Sequence, residues 1–224
     1  MAFNLQTFKT RTLTAIVFAI VMVTGLLLNQ WSFIILFAVI HFGCWWEFIK
    51  ILKKINPEKF RYYLPLGLLY ISLPIFLMFY LRFALLIHVT DNYSKIIPCM
   101  IIFSIWINDT MAYIVGSLIG KTPFSKISAK KTWEGTIGGV ILCVAAMALI
   151  SWWLNFNVIV FTVIAAICAV FGTLGDLLES KLKRLAQIKD SGNILPGHGG
   201  FLDRFDSLLI ATPFVWLYLY FFMG

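Results

Sequence analysis

Seven apolar runs, each about as long as a bilayer crossing, leave this chain few ways to fold. They lie at roughly 12–29, 31–49, 62–81, 96–119, 136–154, 157–175 and 207–223. A hydrocarbon core about 30 Å thick takes about 20 apolar residues as an α-helix. Lipid offers no partner for unpaired backbone groups, so the helix is the element such runs must form. With 61% hydrophobic and 12% charged residues and a mean hydropathy of +0.91, the expectation is an all-α, polytopic integral membrane protein of about seven transmembrane helices. The first run is too long for a cleavable signal peptide and no small-residue cleavage site follows it. Cys44, Cys99, Cys143 and Cys168 all fall inside apolar runs without paired spacing, a pattern of small core residues rather than of disulfides or a zinc site.

The basic residues orient these spans. All 18 Lys and Arg except Arg82 and Lys95 fall in segments 1–11, 50–61, 120–135 and 176–206, which alternate with the spans. The positive-inside rule then predicts a cytoplasmic N-terminus and an outside C-terminus. A net charge of +8 gathered on the inner face suits membrane lipid head groups and polyphosphates. Spread over short loops, it does not suit nucleic acid, and none is expected as a partner.

The connecting loops are too short for a separate domain, so one structural domain is expected, in two parts. Residues 1–95 read as scaffold helices, with Trp45–Trp46 and Tyr62–Tyr63 as interfacial aromatics. Glu47 lies one turn before Lys50 and reads as half of a snorkelling interfacial pair. His41 and His88 read as core or interface residues, and Pro65 and Pro74 as kinks in the third span. Residues 96–224 read as the part that carries the functional loops, the inner segments 120–135 and 176–206.

Three features set that second part apart. The fourth span carries Asp109, followed by Tyr113, Gly116 and Gly120. A carboxylate at that depth costs about 2.5–3.5 kcal/mol, so it either faces a polar cavity or makes a structural hydrogen bond. The loop from Lys121 to Gly135 offers Lys121, Lys126, Lys130 and Lys131 with Ser128 and other hydroxyls, suited to phosphate oxygens or to a solvated basic loop. Thr132 and Glu134 also fit the cap and first turn of the fifth span.

The third feature is the polar run 175–207, which holds five of the 10 acidic residues: Asp176, Glu179, Asp190, Asp203 and Asp206. Asp176, Glu179, Ser180 and Lys183 recur at helical spacing and share one face; Asp203 and Asp206 share another. Between them lies the turn Pro196–Gly200, whose Gly197, Gly199 and Gly200 would let backbone N–H groups approach an anion. Carboxylates from two helix ends, beside lysines and a glycine turn, make a candidate Mg²⁺-polyphosphate site. Inter-helical salt bridges would explain the charges but not the glycines.

The run of Ser180 through Arg184, Lys189–Asp190, His198–Gly199–Gly200, Asp203–Arg204 and Asp206 resembles the signature of the phosphatidate cytidylyltransferase (CDP-diacylglycerol synthase) family. Gly175–Asp176, Lys130–Lys131–Thr132 with Glu134–Gly135, and Asp109 with Tyr113, Gly116 and Gly120 resemble it too. The resemblance covers residues 100–210. Two features depart from it: Ala129 stands where the family usually has proline, and the part before the motifs is short.

The resemblance implies transfer of the cytidylyl group of CTP to phosphatidic acid, giving CDP-diacylglycerol and pyrophosphate. It implies Mg²⁺, with K⁺ beside it as an option. Asp176 and Asp203 are the expected metal ligands, with Asp206 as a third ligand or behind them. Lys183, Lys189, Arg204 and the lysines of 121–131 would hold phosphates, with Ser128, Glu134, Ser180, Arg184, Gly199 and Gly200 lining the substrate site. Asp190 and His198 would shape the nucleotide pocket, and Asp109 a cavity open to the cytoplasm and to lipid. A bacterial inner membrane with the site facing the cytoplasm is the expected setting; the assembly stays open, a homodimer being one option. Two alternatives remain: a CTP-dependent polyprenol or phytol kinase, and an ion or solute transporter using the same carboxylates. The clustering of charge on one side and the absence of paired broken spans count against the transporter.

Overall fold

The computed structural model describes residues 5–83, 91–125, 127–128, 131–194 and 199–223, with side chains at all of these but 5–11, 91–93 and 223. Eight α-helices follow one another among these residues: α1 Leu5–Leu27, α2 Gln30–Ile55, α3 Phe60–Gly67, α4 Leu73–Phe83, α5 Asp91–Ile119, α6 Trp133–Trp153, α7 Val158–Leu185 and α8 Leu202–Met223. A π-helical stretch, Leu68–Ser72, joins α3 to α4, so that Phe60–Phe83 forms one apolar span. The all-α polytopic architecture expected from the apolar runs is what the chain adopts. Six of its described helical stretches are long and apolar enough to cross a membrane, and Thr12–Leu27 is a shorter apolar helix.

The chain divides into two compact units: Met1–Ile75 with Leu182–Phe205, and Phe76–Lys181 with Asp206–Gly224. The polar stretch after α7 thus folds with the N-terminal helices, whereas the sequence reading divides the chain at residue 95.

In the first unit, α1 and α2 form a helical hairpin around a reciprocal cap. Ser32 N–H donates to Asn29 Oδ1 at 2.8 Å and Asn29 N–H to Ser32 Oγ at 3.1 Å, satisfying two donors left over at the start of α2. The π-helical stretch ends two residues before Pro74, whose missing N–H breaks the regular ladder. Trp45 Nε1–H donates to Ser72 Oγ, and His41 Nε2 lies 3.0 Å from the same hydroxyl, which ties α2 to that irregular turn.

In the second unit, α5 and α6 pack at small residues. A Cβ on Gly135 would stand 2.8 Å from Gly116 Cα, and one on Gly139 would stand 3.0 Å from the Ala112 backbone. Such spacing lets two backbones approach in lipid, where dispersion contacts rather than hydrophobicity hold helices together. Thr132 caps α6, as its place in the sequence predicts, by accepting from Gly135 N–H at 3.1 Å. Residues Phe171 and Phe214 stack at 3.6 Å between α7 and α8.

Candidate active site

Small residues decide where the acidic side chains of the second unit meet. Ser207 Oγ on α8 donates to the Gly172 carbonyl of α7 at 3.0 Å. One turn on, Gly175 lies against the backbone of Asp206 and Ser207, so that any Cβ there would collide with it. The close crossing sets Asp206 beside Asp176 and Glu179, which are one turn apart on α7. One oxygen from each of the three lies within 4.8 Å of the others. Among the described residues this is the one grouping of three or more Asp, Glu, His or Cys side chains close enough to share a metal ion.

Glu179 is 1% exposed, Asp206 6%, and the side chain of Asp176 29%. Three carboxylates in such proximity repel one another, and burial withdraws the water that would screen them. Lys131 pairs its ammonium with Asp176 Oδ2, and the charge of Asp109, exposed on α5, also acts on Asp206. Hard carboxylate oxygens from two helices fit an oxygen-seeking divalent cation better than any softer metal.

The loop that delivers Lys131 is folded on itself. Phe124 N–H donates to the Lys131 carbonyl at 2.8 Å, Trp133 N–H to the Thr122 carbonyl at 3.0 Å, and the Phe124 and Trp133 rings meet edge to face. Glu134 closes it from α6: its carboxylate accepts from Lys121 N–H, Thr122 N–H and Thr122 Oγ1–H. Glu134 therefore shapes the loop through backbone bonds. The Ser128 carbonyl accepts from Lys131 N–H, and Lys121 is exposed. Lys126 and Lys130, like Ala129, lie outside the described residues.

A second polar constellation lies in the first unit. Asp203, in the first turn of α8, accepts from Lys183 Nζ at 2.6 Å, Gly200 N–H at 2.8 Å, Ser191 N–H at 2.9 Å and Ser191 Oγ at 2.9 Å. Its carboxylate is thus occupied by protein donors, and Glu179 stands in the acidic grouping where Asp203 was expected. Glu47, 1% exposed on α2, accepts from Ser191 Oγ at 2.6 Å and from the N–H groups of Phe201 and Leu202 at 2.9 Å. This corrects the reading of Glu47 as a surface partner of Lys50. Lys50 lies over the Trp46 ring, 4.8 Å from its centroid.

The described part of the glycine turn is built around these two carboxylates. Gly199 has φ +85°, a left-handed conformation that favours glycine, and a Cβ there would also strike the Asp203 carboxylate. A Cβ on Gly192 or Gly200 would strike that of Glu47. The Gly200 N–H expected to meet a substrate anion points at Asp203 instead. Gly197 and His198 lie outside the described residues, as does His88. Ser180 is half-buried on α7, while Arg184, Lys189, Asp190 and Arg204 are exposed.

The sequence profile of the cytidylyltransferase family matches residues 9–90 and 66–222, which together take in nearly the whole chain. The chain belongs to the cytidylyltransferase family. Curated relatives agree over about half of the chain. The phosphatidate cytidylyltransferase of Bacillus subtilis (strain 168) is 48% identical over 118 residues, 51% of this chain and 44% of that protein. That of Staphylococcus haemolyticus is 46% identical over 112 residues, 49% of this chain and 43% of the relative. Chloroplastic phosphatidate cytidylyltransferase 4 of Arabidopsis thaliana is 43% identical over 113 residues, covering 50% of this chain and 29% of the plant protein. The match therefore spans less than half the length of each of these relatives.

Proposed function

We propose that this cytidylyltransferase-family chain transfers the cytidylyl group of CTP to phosphatidic acid, releasing CDP-diacylglycerol and pyrophosphate. The observation that carries the reading is the convergence of Asp176, Glu179 and Asp206 from two helices, with Lys131 already paired to Asp176. A family whose members include phosphatidate cytidylyltransferases supplies the substrate pair.

The three carboxylates would hold Mg²⁺, with K⁺ beside it as an option. Held there, the cation would neutralise triphosphate charge and align the α-phosphate for in-line attack. Lys131 would turn from Asp176 to the substrate phosphates, a motion within reach of a long side chain. Lys121, Arg184, Lys189 and Arg204, all exposed, would draw the nucleotide to the membrane surface. Asp190 and His198 would line the base and ribose. A phosphate oxygen of phosphatidic acid, anionic at neutral pH, attacks the α-phosphorus of CTP. The new P–O bond forms as the bond from that phosphorus to the bridging oxygen breaks, and pyrophosphate leaves with the electron pair. No proton has to be removed from the nucleophile, so charge neutralisation and alignment are the work left to the protein.

The distribution of Lys and Arg supports a site open to the cytoplasm, with the N-terminus on the same side. The deciding experiment gives purified protein CTP labelled at the α-phosphate, phosphatidic acid and Mg²⁺. Label in a chloroform-soluble CDP-lipid is the expected result. Soluble labelled CDP made with a polyprenol acceptor would instead identify a lipid kinase. No labelled product with any acceptor would overturn the enzymatic reading.

A further inference from the structure

We infer that Glu47 is a positioning residue for this reaction, an inference that rests on the cytidylyl-transfer reading above. It sits in the part of the chain read from sequence as scaffold, yet its partners are 144 to 155 residues away. Phe201 immediately precedes α8 and Leu202 opens it, and their N–H groups are among the donors a helix start leaves without intrahelical acceptors. The Glu47 carboxylate takes both, and its negative charge complements the positive end of the helix dipole.

The same carboxylate reaches further. Ser191 Oγ bridges Glu47 Oε2 at 2.6 Å to Asp203 Oδ2 at 2.9 Å, and Asp203 Oδ1 holds Lys183 Nζ at 2.6 Å. Glu47 therefore fixes the start of α8, the strap at 191–192 and, through Ser191 and Asp203, the ammonium of Lys183. Gly192 and Gly200 are shaped to this carboxylate, since a Cβ on either would strike it. The start of α8 is filled by the protein's own anion, so substrate phosphates must be met by side-chain cations such as Lys183 and Arg204 rather than by this helix N-terminus.

The test uses Glu47→Gln and Ser191→Ala in the full chain. Glutamine keeps the shape, but its NH₂ must face a donor, because both Glu47 oxygens accept. Hydrogen exchange of the 199–206 segment, detergent melting temperature, and kcat and KM for CTP and for phosphatidic acid are read on each. Glu47→Gln is expected to speed exchange in 199–206 and to lower kcat/KM for CTP by about 100-fold, the scale of a small misplacement of reacting groups. KM for CTP should rise while KM for phosphatidic acid stays near wild type; a loss of folded protein alone would lower the apparent kcat and leave both KM values unchanged. Ser191→Ala leaves the Glu47 bonds to α8 in place and is expected to lower kcat/KM for CTP by about tenfold. Wild-type kcat/KM in both variants overturns the inference, as does a loss that follows only the folded fraction. An inactive wild type overturns the functional reading itself, and shows before any variant is made.

Discussion

Replacing Gly175 by alanine tests whether helix contact, rather than the carboxylates alone, builds the acidic site. The added Cβ would stand 3.0 Å from both Asp206 C and Ser207 Cα, and closer still to the Asp206 carbonyl oxygen. Ordinary contact for such atoms begins at 3.4 Å, and all three obstacles are backbone, so α8 has to retreat by several tenths of an ångström. Overpacking of this kind costs about 1–3 kcal/mol. The larger effect falls on geometry, because Asp206 moves with the backbone that retreats. A shift approaching about 1 Å is enough to cost about 100-fold in rate. Gly172→Ala is the internal control: its Cβ would meet the Ser207 side chain at 3.3 Å, a contact that a small adjustment relieves. The two variants are compared in detergent by melting temperature with and without Mg²⁺ and by CDP-lipid formation. Gly175→Ala should lose most of its turnover and its Mg²⁺-dependent thermal shift, while Gly172→Ala keeps both. Equal turnover in the two would refute the claim that the α7–α8 crossing positions Asp206.

Asp206→Asn removes one of three crowded carboxylates, so its melting temperature in metal-free buffer should match or exceed wild type while Mg²⁺-dependent stabilisation and turnover fall by orders of magnitude; a destabilised variant with intact Mg²⁺ response would overturn this. Glu134→Gln weakens the acceptor of Lys121 N–H and Thr122 N–H and should loosen the loop that delivers Lys131 while leaving the three carboxylates themselves unchanged, seen as faster proteolysis of that loop and a several-fold higher KM for CTP at near-normal kcat. Gly199→Val places a branched side chain at φ +85° against Asp203, and should cost about 1–3 kcal/mol of stability measured by melting in detergent; a raised KM for CTP at unchanged stability would restore the glycine turn to a substrate-binding role.

The spans were legible because lipid forces long apolar runs into helices, and the family because its motifs are short and fixed in spacing. The pairing of Asp176 with Glu179 was half legible: helical spacing puts them on one face. What brings Asp206 rather than Asp203 to that face is the crossing of α7 and α8 at Gly172, Gly175 and Ser207. That is a matter of two backbones in space, on which residue spacing is silent. Glu47 was misread for a related reason. A local partner, Lys50, lay within one turn, whereas its real donors come from 144 or more residues later. The glycines of 192–200 signal a close approach in either reading, but the sequence does not say whose carboxylate or phosphate comes close. Here, at Gly192, Gly199 and Gly200, it is the protein's own.

The long separation between Glu47 and its donors also constrains how the protein is made. At about 5–20 residues per second, a ribosome takes roughly 7–29 s to add the 144 residues from Glu47 to Ser191. An α2 that enters the bilayer before then carries a carboxylate whose final hydrogen-bond donors are not yet made. Lys53 and Lys54 in its last turn, with Lys50 beside them, mark the end of α2 where that carboxylate can reach the head groups. The surface position read from sequence is thus the one the nascent helix can occupy. Its burial is a late step of biogenesis, and slowing translation between residues 55 and 190 should lengthen the time for which Glu47 is open to water-soluble reagents.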